Sequence, residues 1–486
     1  MSVRLAAIWS LSAQYVTFVI QFTASVLISR FFLLPQDVGL FSIALAAAMM
    51  VSIFQDLGIT RFISGQPDMN PEAIPNYASV AVTIGWTISA VIALAAPFIA
   101  RFYGEPALAP LLWLIAGSYL ITPYATVPAA LLVKDMDFRA LFKVNAGSAL
   151  AGNGTALALA AVGQGAASLA WGVLATAIAR AAIANLIRPV RPKLPSGLGT
   201  VRPMLGFSSM SFVLSASGAV GQRSQDLIVG RLLGIAATGL FSRASALAGQ
   251  LTTLVTGAIG SVFYAAFARK RDASEPLAEP YLRLVACYTA LNWAAMVGLA
   301  LAAEPLVMLL YGPNWIAAAP LLRWTALAEI CFVAIPLQVD IPLLMGKIGQ
   351  LVWVNLLDTA AAVAILAIGC SIGLEQAAQS RIFYGLVWCA IYGIYLGRIL
   401  DFRIRDLFAV YVRSGICALA AGLPLIAEMS LGNSGSALSF PALIALSGAG
   451  VLTWVAALAA TRHPAWHEIR SVIRMAARPI LARSIG

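Results

Sequence analysis

The chain has 486 residues, of which 61% are hydrophobic and 10% charged, and its mean hydropathy is +0.89. Soluble domains carry about 25% charged residues, so this composition excludes a soluble globular protein and indicates an integral membrane protein. Apolar runs of the ~20 residues needed to cross a bilayer recur from end to end. They predict an all-α, polytopic fold, because a membrane barrel would show alternating segments of about ten residues.

Fourteen apolar segments are long enough to be transmembrane helices. We predict spans at 5–30, 38–62, 77–101, 108–132, 140–162, 166–188, 204–229, 236–264, 281–303, 317–342, 348–372, 380–400, 407–430 and 438–461. Two of these segments are interrupted by polar residues, Asn145 and Asn153 in one and Asn355 and Asp358 in the other. Twelve spans is therefore the alternative count.

The basic residues predict how the chain is oriented. Only Arg4 precedes the first span, and Ser29-Arg30 follows it where a cleavable signal would end in small residues, so we interpret the span as a retained helix. The net charge is +11, and most of the 31 Lys and Arg fall in alternate loops and the tail. This positive-inside bias predicts that both termini are cytoplasmic, and it explains the basic charge without nucleic-acid binding.

The first half of the sequence is repeated, faintly, 200 to 214 residues later. SRFFLLPQDVGLFS at 29–42 returns as GRLLGIAATGLFS at 230–242, and Tyr103-Gly104 returns as Tyr311-Gly312. The later echoes are APLLW at 109–113 with APLLRW at 319–324, and the proline pair Pro123 and Pro128 with Pro336 and Pro342. Duplicated units of this kind are typical of transporters, in which substrate binds between the copies.

The repeat predicts six plus six plus two spans. The predicted parts are a first bundle at 1–187, a cytoplasmic linker at 188–203, a second bundle at 204–400, two further helices at 401–461 and a basic tail at 462–486. Because each copy has an even number of spans, both copies have the same orientation, related by an axis along the membrane normal. No segment is long enough for a soluble domain, and no phosphate-binding loop motif occurs, so we expect no nucleotide.

Neither the cysteines nor the tail indicates a metal or a cofactor. The five cysteines lie inside predicted spans without metal-ligand spacing, and His463 and His467 are four residues apart with no third ligand nearby. In the tail, apolar residues from Trp466 onward share a helical stripe beside arginines at four-residue spacing. This pattern favours a helix that lies on the anionic inner leaflet, and the alternative is a docking site for a partner.

A polar run in the seventh span supplies the candidate substrate-binding residues. It contains Gln222, Arg223, Gln225 and Asp226, and Arg243 follows in the eighth span. A guanidinium is a good phosphate ligand, because it donates two parallel hydrogen bonds, so Arg223 and Arg243 are predicted to bind an anionic headgroup. The alternative is an internal Arg223–Asp226 pair that neutralises itself.

Other embedded charges and the prolines have two interpretations each. Asp340 lies between the repeated prolines, where it can be an ion-coupling site beside freed carbonyl groups or a cap at the end of the tenth span. The prolines Pro123, Pro128, Pro336 and Pro342 can act as paired hinges or as fixed bends. The other charges within or at the ends of spans are Asp56, Arg180, Arg323, Glu329 and Asp358.

Several segments resemble polysaccharide and O-antigen flippases of the Wzx type, members of the multidrug/oligosaccharidyl-lipid/polysaccharide exporter superfamily. The resemblance is carried by SRFFLLPQDVGLF at 29–41 with DLGI at 56–59, ARFYG at 100–104, LVKDMDFR at 132–139, and DLIVGRLLG at 226–234 with GLFSRA at 239–244. The LVKDMDFR loop suggests the colanic-acid-exporter branch. The resemblance provides no catalytic motif.

The resemblance implies a bacterial inner-membrane protein of two bundles that flips an undecaprenyl-pyrophosphate-linked oligosaccharide by alternating access. The implied partners are membrane lipids and, in later steps of synthesis, a polysaccharide polymerase and export machinery. The main rival is a multidrug–cation antiporter of the same superfamily. A cationic drug calls for acidic residues in the cavity. The charges at the start of the second copy are instead three arginines, Arg223, Arg231 and Arg243, and one aspartate, Asp226, which disfavours that rival. A membrane polymerase or ligase is disfavoured because every predicted periplasmic loop is short.

Overall fold

The computed structural model describes residues 3–55, 63, 70–193, 209–430, 439–466 and 470. Within them the chain is helical. The helices are α1 (Val3–Phe31), α2 (Pro35–Ser52), α3 (Ile74–Tyr103), α4 (Leu108–Ile121), α5 (Pro123–Lys134), α6 (Phe138–Ala161), α7 (Ala166–Ile187), α8 (Ser209–Leu232), α9 (Ile235–Asp272), α10 (Ala278–Leu301), α11 (Ala303–Tyr311), α12 (Ala318–Phe332), α13 (Asp340–Leu344), α14 (Ile348–Ile372), α15 (Leu374–Leu400), α16 (Ile404–Ser430) and α17 (Phe440–Ala460). The all-α prediction is confirmed.

Nine helices in the described part of the chain are long and apolar enough to cross a membrane. The bent pair α4 and α5 adds a tenth if it forms one span. The four other predicted spans correspond to α6, α8 and α9, which carry charged and amide side chains, and to α12, which has only 15 residues. The count of fourteen and the cytoplasmic placement of both termini stay predictions.

Some predicted features lie outside the described residues. They are Asp56, the part of the 188–203 linker after Lys193, and the tail beyond Trp466 apart from Arg470.

The chain divides into two compact units. The first comprises Met1–Ser242 with Asn355–Val363, and the second Arg243–Val354 with Ala364–Gly486. The polar residues of α14 explain why its middle belongs to the first unit. Asn355 donates from Nδ2 to Ser217 Oγ of α8 at 3.0 Å, and Thr359 donates to the Ser217 carbonyl at 3.1 Å. Asn355, one of the two residues that interrupt this apolar span, therefore connects it to α8 together with Thr359.

The chain bends by 45° between α4 and α5, where Pro123 begins the second helix. Proline is well suited to this position because it lacks the backbone N–H that a helix start leaves unsatisfied. Gly85 of α3 makes room for the bend, since a Cβ there would lie 2.1 Å from Pro123 Cγ. Pro128 lies inside α5 and is buried. This bend is closely packed in the described structure.

In the second unit, the chain breaks between α12 and α13, around Pro336. Four side chains from the neighbouring helices α10, α15 and α16 donate hydrogen bonds to carbonyl groups at the break. The donors and the carbonyl groups that accept are Trp293 and Ile330 (2.8 Å), Cys389 and Cys331 (3.2 Å), Tyr411 and Ala334 (2.9 Å), and Tyr281 and Pro336 (3.2 Å). A polar backbone group left without a partner in an apolar interior is costly. These donors therefore stabilise the break.

Candidate substrate-binding site

The repeated motif PQDVGLFS/IAATGLFS forms a contact between its own two copies in the first unit. A Cβ on Gly39 would lie 1.9 Å from the Ile235 carbonyl oxygen, and a Cβ on Gly239 would lie 1.8 Å from the Pro35 carbonyl oxygen. Each glycine thus faces the residue four positions before the other glycine. The start of α2 and the start of α9 cross here with approximate two-fold symmetry, and only glycine allows so close an approach.

Arg223 of α8 lies near the hydroxyl of Tyr119, close enough for its charge to act on that group. The Ser52 side chain, at the end of α2, lies near the same hydroxyl. Tyr119 comes four residues before Pro123, at the end of α4. The structure therefore adds Tyr119 and Ser52 to the predicted cluster, and it places Arg223 beside the bend between α4 and α5.

Asp226, one turn further along α8, lies near the hydroxyl of Tyr103. That hydroxyl donates to the Leu227 carbonyl at 2.9 Å. The guanidinium of Arg231 lies 5.1 Å from the centre of the Phe102 ring. The first Phe-Tyr-Gly motif, at 102–104, is thus a contact surface for α8.

The amides beside Arg223 differ in exposure. Gln222 is exposed and Gln225 is partly buried. Gln222, Arg223, Gln225 and Asp226 thus form one polar stretch in the second half of α8. A guanidinium with two flanking amides and a phenol can donate several hydrogen bonds to phosphate oxygens.

Arg243 has different partners, in the second unit. Its guanidinium lies 5.7 Å from the ring centres of both Tyr311 and Trp315. Tyr311 belongs to the second Tyr-Gly motif, so each of these motifs contacts an arginine of the second copy. Cation–π contacts of this kind hold an arginine in place. A direct contact between Arg243 and substrate stays a prediction, and in the described structure this residue packs against aromatic rings.

Asp340 is exposed and begins the five-residue helix α13. The neighbouring carbonyl groups of Ala334 and Pro336 accept hydrogen bonds from tyrosines, and Pro342 is buried. This arrangement is that of a helix start next to a break whose carbonyl groups are hydrogen-bonded. The coupling role of Asp340 and the hinge roles of the four prolines stay untested predictions.

An apolar cavity lies in the second unit, among α10, α16 and α17. It has a volume of about 380 Å³, and its lining residues are apolar except for Ser447 and the Trp454 indole. No charged side chain lines it. A pyrophosphate headgroup therefore has no charged ligand in this cavity.

No group of three or more His, Cys, Asp or Glu in the described part of the chain is arranged to hold a metal. His463 is fully buried and uses both ring nitrogens, since Nδ1 accepts from the Ala465 N–H at 3.2 Å and Nε2 lies 3.1 Å from Ser414 Oγ. Nε2–H is therefore the donor of the neutral ring. His467, its possible partner, lies outside the described residues.

Sequence reasoning missed Tyr119, Ser52 and Arg381. No pattern distinguishes the first two from other polar residues of apolar helices. Arg381 had a clear signal, because it is a charge at the start of a predicted span and Glu329 is an acidic residue inside another. The two form an ion pair at 3.1 Å.

The sequence is similar to a known protein family and to several characterised relatives. The family model described as polysaccharide biosynthesis protein matches residues 27–320. The lipopolysaccharide biosynthesis protein WzxC of Escherichia coli (strain K12) is 23% identical over 322 residues, which span 64% of this chain and 63% of that protein. The succinoglycan biosynthesis transport protein ExoT of Rhizobium meliloti (strain 1021) is 24% identical over 388 residues, 79% of this chain and 76% of that protein.

A solved structure of lipid II flippase MurJ, in an inward closed conformation, superposes with a TM-score of 0.74 at 13% identity. It covers 93% of this chain and 98% of that chain, so the two share a fold. The resemblance indicated by the sequence motifs is confirmed by the family model, which matches more than half of the chain. The chain therefore belongs to the polysaccharide biosynthesis protein family.

Proposed function

We propose that this protein moves a lipid-linked oligosaccharide across the bacterial inner membrane, from the cytoplasmic to the periplasmic leaflet, for the synthesis of a surface polysaccharide. The observation that carries the proposal is the polar stretch of α8, in which Arg223 is placed beside Tyr119. Family membership and the names of the two relatives support it.

The polar stretch fits the physical problem of flipping. A lipid-linked sugar has an apolar tail that can stay in the bilayer and a charged headgroup that cannot cross it unaided. Moving a charge into hydrocarbon costs several kcal/mol, so the headgroup needs protein ligands along its path. Arg223, with the amides of Gln222 and Gln225, supplies a positive charge and hydrogen-bond donors for pyrophosphate and sugar hydroxyls.

We further propose that the protein works by alternating access and that no covalent chemistry takes place. The polymerase and export machinery that the family resemblance implies would act on the product. With undecaprenyl pyrophosphate as the carrier, the substrate would bear at least two phosphate charges, which matches a site built around arginine.

The alternative function is a multidrug–cation antiporter of the same superfamily. A cationic drug requires acidic ligands, and the polar stretch of α8 has one acidic residue, Asp226, near one Tyr hydroxyl. Arg223 in the same stretch offsets the charge of Asp226, so the stretch has no net negative charge that would attract a cation. This charge balance disfavours a cationic drug as the substrate.

The deciding experiment follows the lipid-linked intermediate in cells that lack this protein. Membranes are treated from outside with an impermeant glycosidase or lectin, before and after permeabilisation. We expect the oligosaccharide to accumulate out of reach of the probe, and the intact gene to restore access. If no intermediate accumulates and polymer is still exported, the proposal is wrong, and drug efflux becomes the next assay.

A further inference from the structure

Glu329 of α12 and Arg381 of α15 form an ion pair inside the second unit that the proposed substrate site does not use. Arg381 Nη2 lies 3.1 Å from Glu329 Oε1, and the two side chains are only 10% and 13% exposed. Both residues lie in segments predicted to cross the membrane.

An ion pair in this position has little value for stability alone. Replacing a buried pair by apolar residues of similar volume is often neutral or even stabilising. Ionisable residues in membrane spans are rare and are typical of ion pathways and proton relays. The seam between the two helices is otherwise closely packed, with Gly385 of α15 placed so that a Cβ there would lie 2.7 Å from Cys331 Cβ.

The surroundings provide partners for either protonation state of Glu329. When ionised, the carboxylate accepts from Arg381. The Thr252 hydroxyl of α9 lies near the carboxyl group, and it donates to the Ala248 carbonyl at 3.2 Å. Its oxygen is then an acceptor for the proton of a neutral Glu329. Arg381 keeps a second contact in that state, because its guanidinium lies 5.7 Å from the centre of the Phe332 ring.

Among the residues that the structure describes, few ionisable groups act on Glu329. Arg381 faces it from α15, and the thiol of Cys331 lies two residues away on the same helix. The free thiol of Cys389 of α15 lies beside Cys331 and donates to its carbonyl group at 3.2 Å. From α10 the neighbouring group is the Trp293 indole, which donates to the Ile330 carbonyl. Uptake of one proton changes this site from neutral to a single positive charge on Arg381.

We propose that Glu329 is the proton-binding site that couples transport to the proton gradient. Protonation of Glu329 releases Arg381 from the ion pair. This proposal rests on the transport function proposed above. A proton from water adds to a carboxyl oxygen of Glu329, its bond to Arg381 breaks, and the guanidinium becomes available to another anion. Loss of the proton restores the pair. Asp340, exposed at a helix start, offers no comparable two-state arrangement.

The first test needs no substrate. Infrared difference spectra of the full-length protein in lipid bilayers are recorded between acidic and alkaline buffers in which it stays folded. We expect a band of a buried, protonated carboxyl group that Glu329→Gln removes. Glu375→Gln is the matched control, since Glu375 is an exposed glutamate that accepts from Trp324 at 2.9 Å, and it should leave that band unchanged. A spectrum in which Glu329→Gln removes no such band overturns the proposal.

The second test separates coupling from packing. The double variant Glu329→Leu/Arg381→Met leaves no buried charge, so it should reach wild-type levels in the membrane and unfold at the same temperature. We expect its polysaccharide export to fall to the level of the deletion strain. Export at the wild-type rate would show that the pair is only structural. If the intact gene also fails to restore export, the transport function is wrong, and the infrared result still decides whether Glu329 binds a proton.

Discussion

Ser42 and Ser242 occupy the same position in the two copies of the repeat, and Ser42 Oγ donates to Ser242 Oγ at 3.0 Å. One turn earlier on each helix, Gly39 and Gly239 face the backbone of the opposite copy. A contact in which residue i meets residue j, and j meets i, is the signature of a two-fold axis. The hydrogen bond between the two serines therefore marks the local axis that relates the start of α2 to the start of α9.

The first prediction tests this crossing. Gly39→Ala and Gly239→Ala should each destabilise the protein by about 1–3 kcal/mol, because the new methyl group would overlap a carbonyl oxygen and force the helices apart. The symmetry predicts similar costs at the two positions. It also predicts that the double variant costs less than the sum, since both changes widen one contact. Thermal unfolding of the purified protein measures the effect.

Gly249→Ala is the matched control for the glycine variants. Gly249 is also in α9, and a Cβ there meets nothing within 4 Å. Alanine should stabilise the helix at this position by about 0.5–1 kcal/mol. If Gly39→Ala is as harmless as Gly249→Ala, the two helices do not cross at these residues.

The second prediction concerns Arg223. Arg223→Ala should reduce flipping by about ten- to a hundredfold, the effect of losing ~1.5–3 kcal/mol of charged hydrogen bonding. Arg223→Lys keeps the charge but loses the planar fork, so it should retain an intermediate rate. The measurement is the initial rate of lectin access to the lipid-linked oligosaccharide, at matched protein levels.

Two further variants serve as comparisons for Arg223→Ala. Arg283→Ala removes an exposed arginine whose pair with Glu279, at 3.2 Å, contributes little, so transport should be unchanged. Tyr119→Phe removes the hydroxyl beside Arg223 and should slow flipping less than Arg223→Ala. A normal rate for Arg223→Ala would exclude a ligand role for this residue.

The repeat and the all-helical fold were predictable because hydropathy and the repeated GLFS motif are local in sequence. The contact between the copies was not, since nothing in the pattern shows that Gly39 packs against Ile235. The polar run at 222–226 was visible as a break in an apolar span, whereas its neighbours Tyr119 and Ser52 come from other helices. Arg243 shows the limit of charge-based reasoning, because its aromatic partners lie about 70 residues away in the chain.

The third prediction tests the donors around the helix break at Pro336. Tyr281→Phe and Tyr411→Phe each leave a buried carbonyl group without its donor, at a cost of about 1–3 kcal/mol in the free energy of unfolding. Tyr395→Phe is the control, since that hydroxyl donates to the Lys347 carbonyl at 3.3 Å in a more exposed setting. It should cost less than about 0.5 kcal/mol. Equal losses for all three variants would mean that the break does not depend on these donors.

The fourth prediction is a pH dependence of stability that originates in His463. Burial, with the charge of Arg413 as a smaller cause, lowers the pKa of this histidine from 6.5 to about 4. The neutral ring donates to Ser414, which in turn hydrogen-bonds to Thr289 at 2.7 Å. A proton on Nδ1 would break the bond from the Ala465 N–H. The folded protein therefore favours the neutral ring.

The sign of the effect follows from the depressed pKa. Between pH 6.5 and about 4 the unfolded chain binds a proton that the folded protein does not. The contribution of His463 to the free energy of unfolding, about 3 kcal/mol at most, is therefore complete above pH 6.5 and is lost as the pH falls toward 4.

His463→Gln cannot titrate but can still donate to Ser414, so its unfolding temperature should depend less on pH across this window. Ser414→Ala should lower stability at neutral pH while leaving the histidine able to titrate. An unchanged pH profile in His463→Gln would mean that the acid sensitivity comes from other groups.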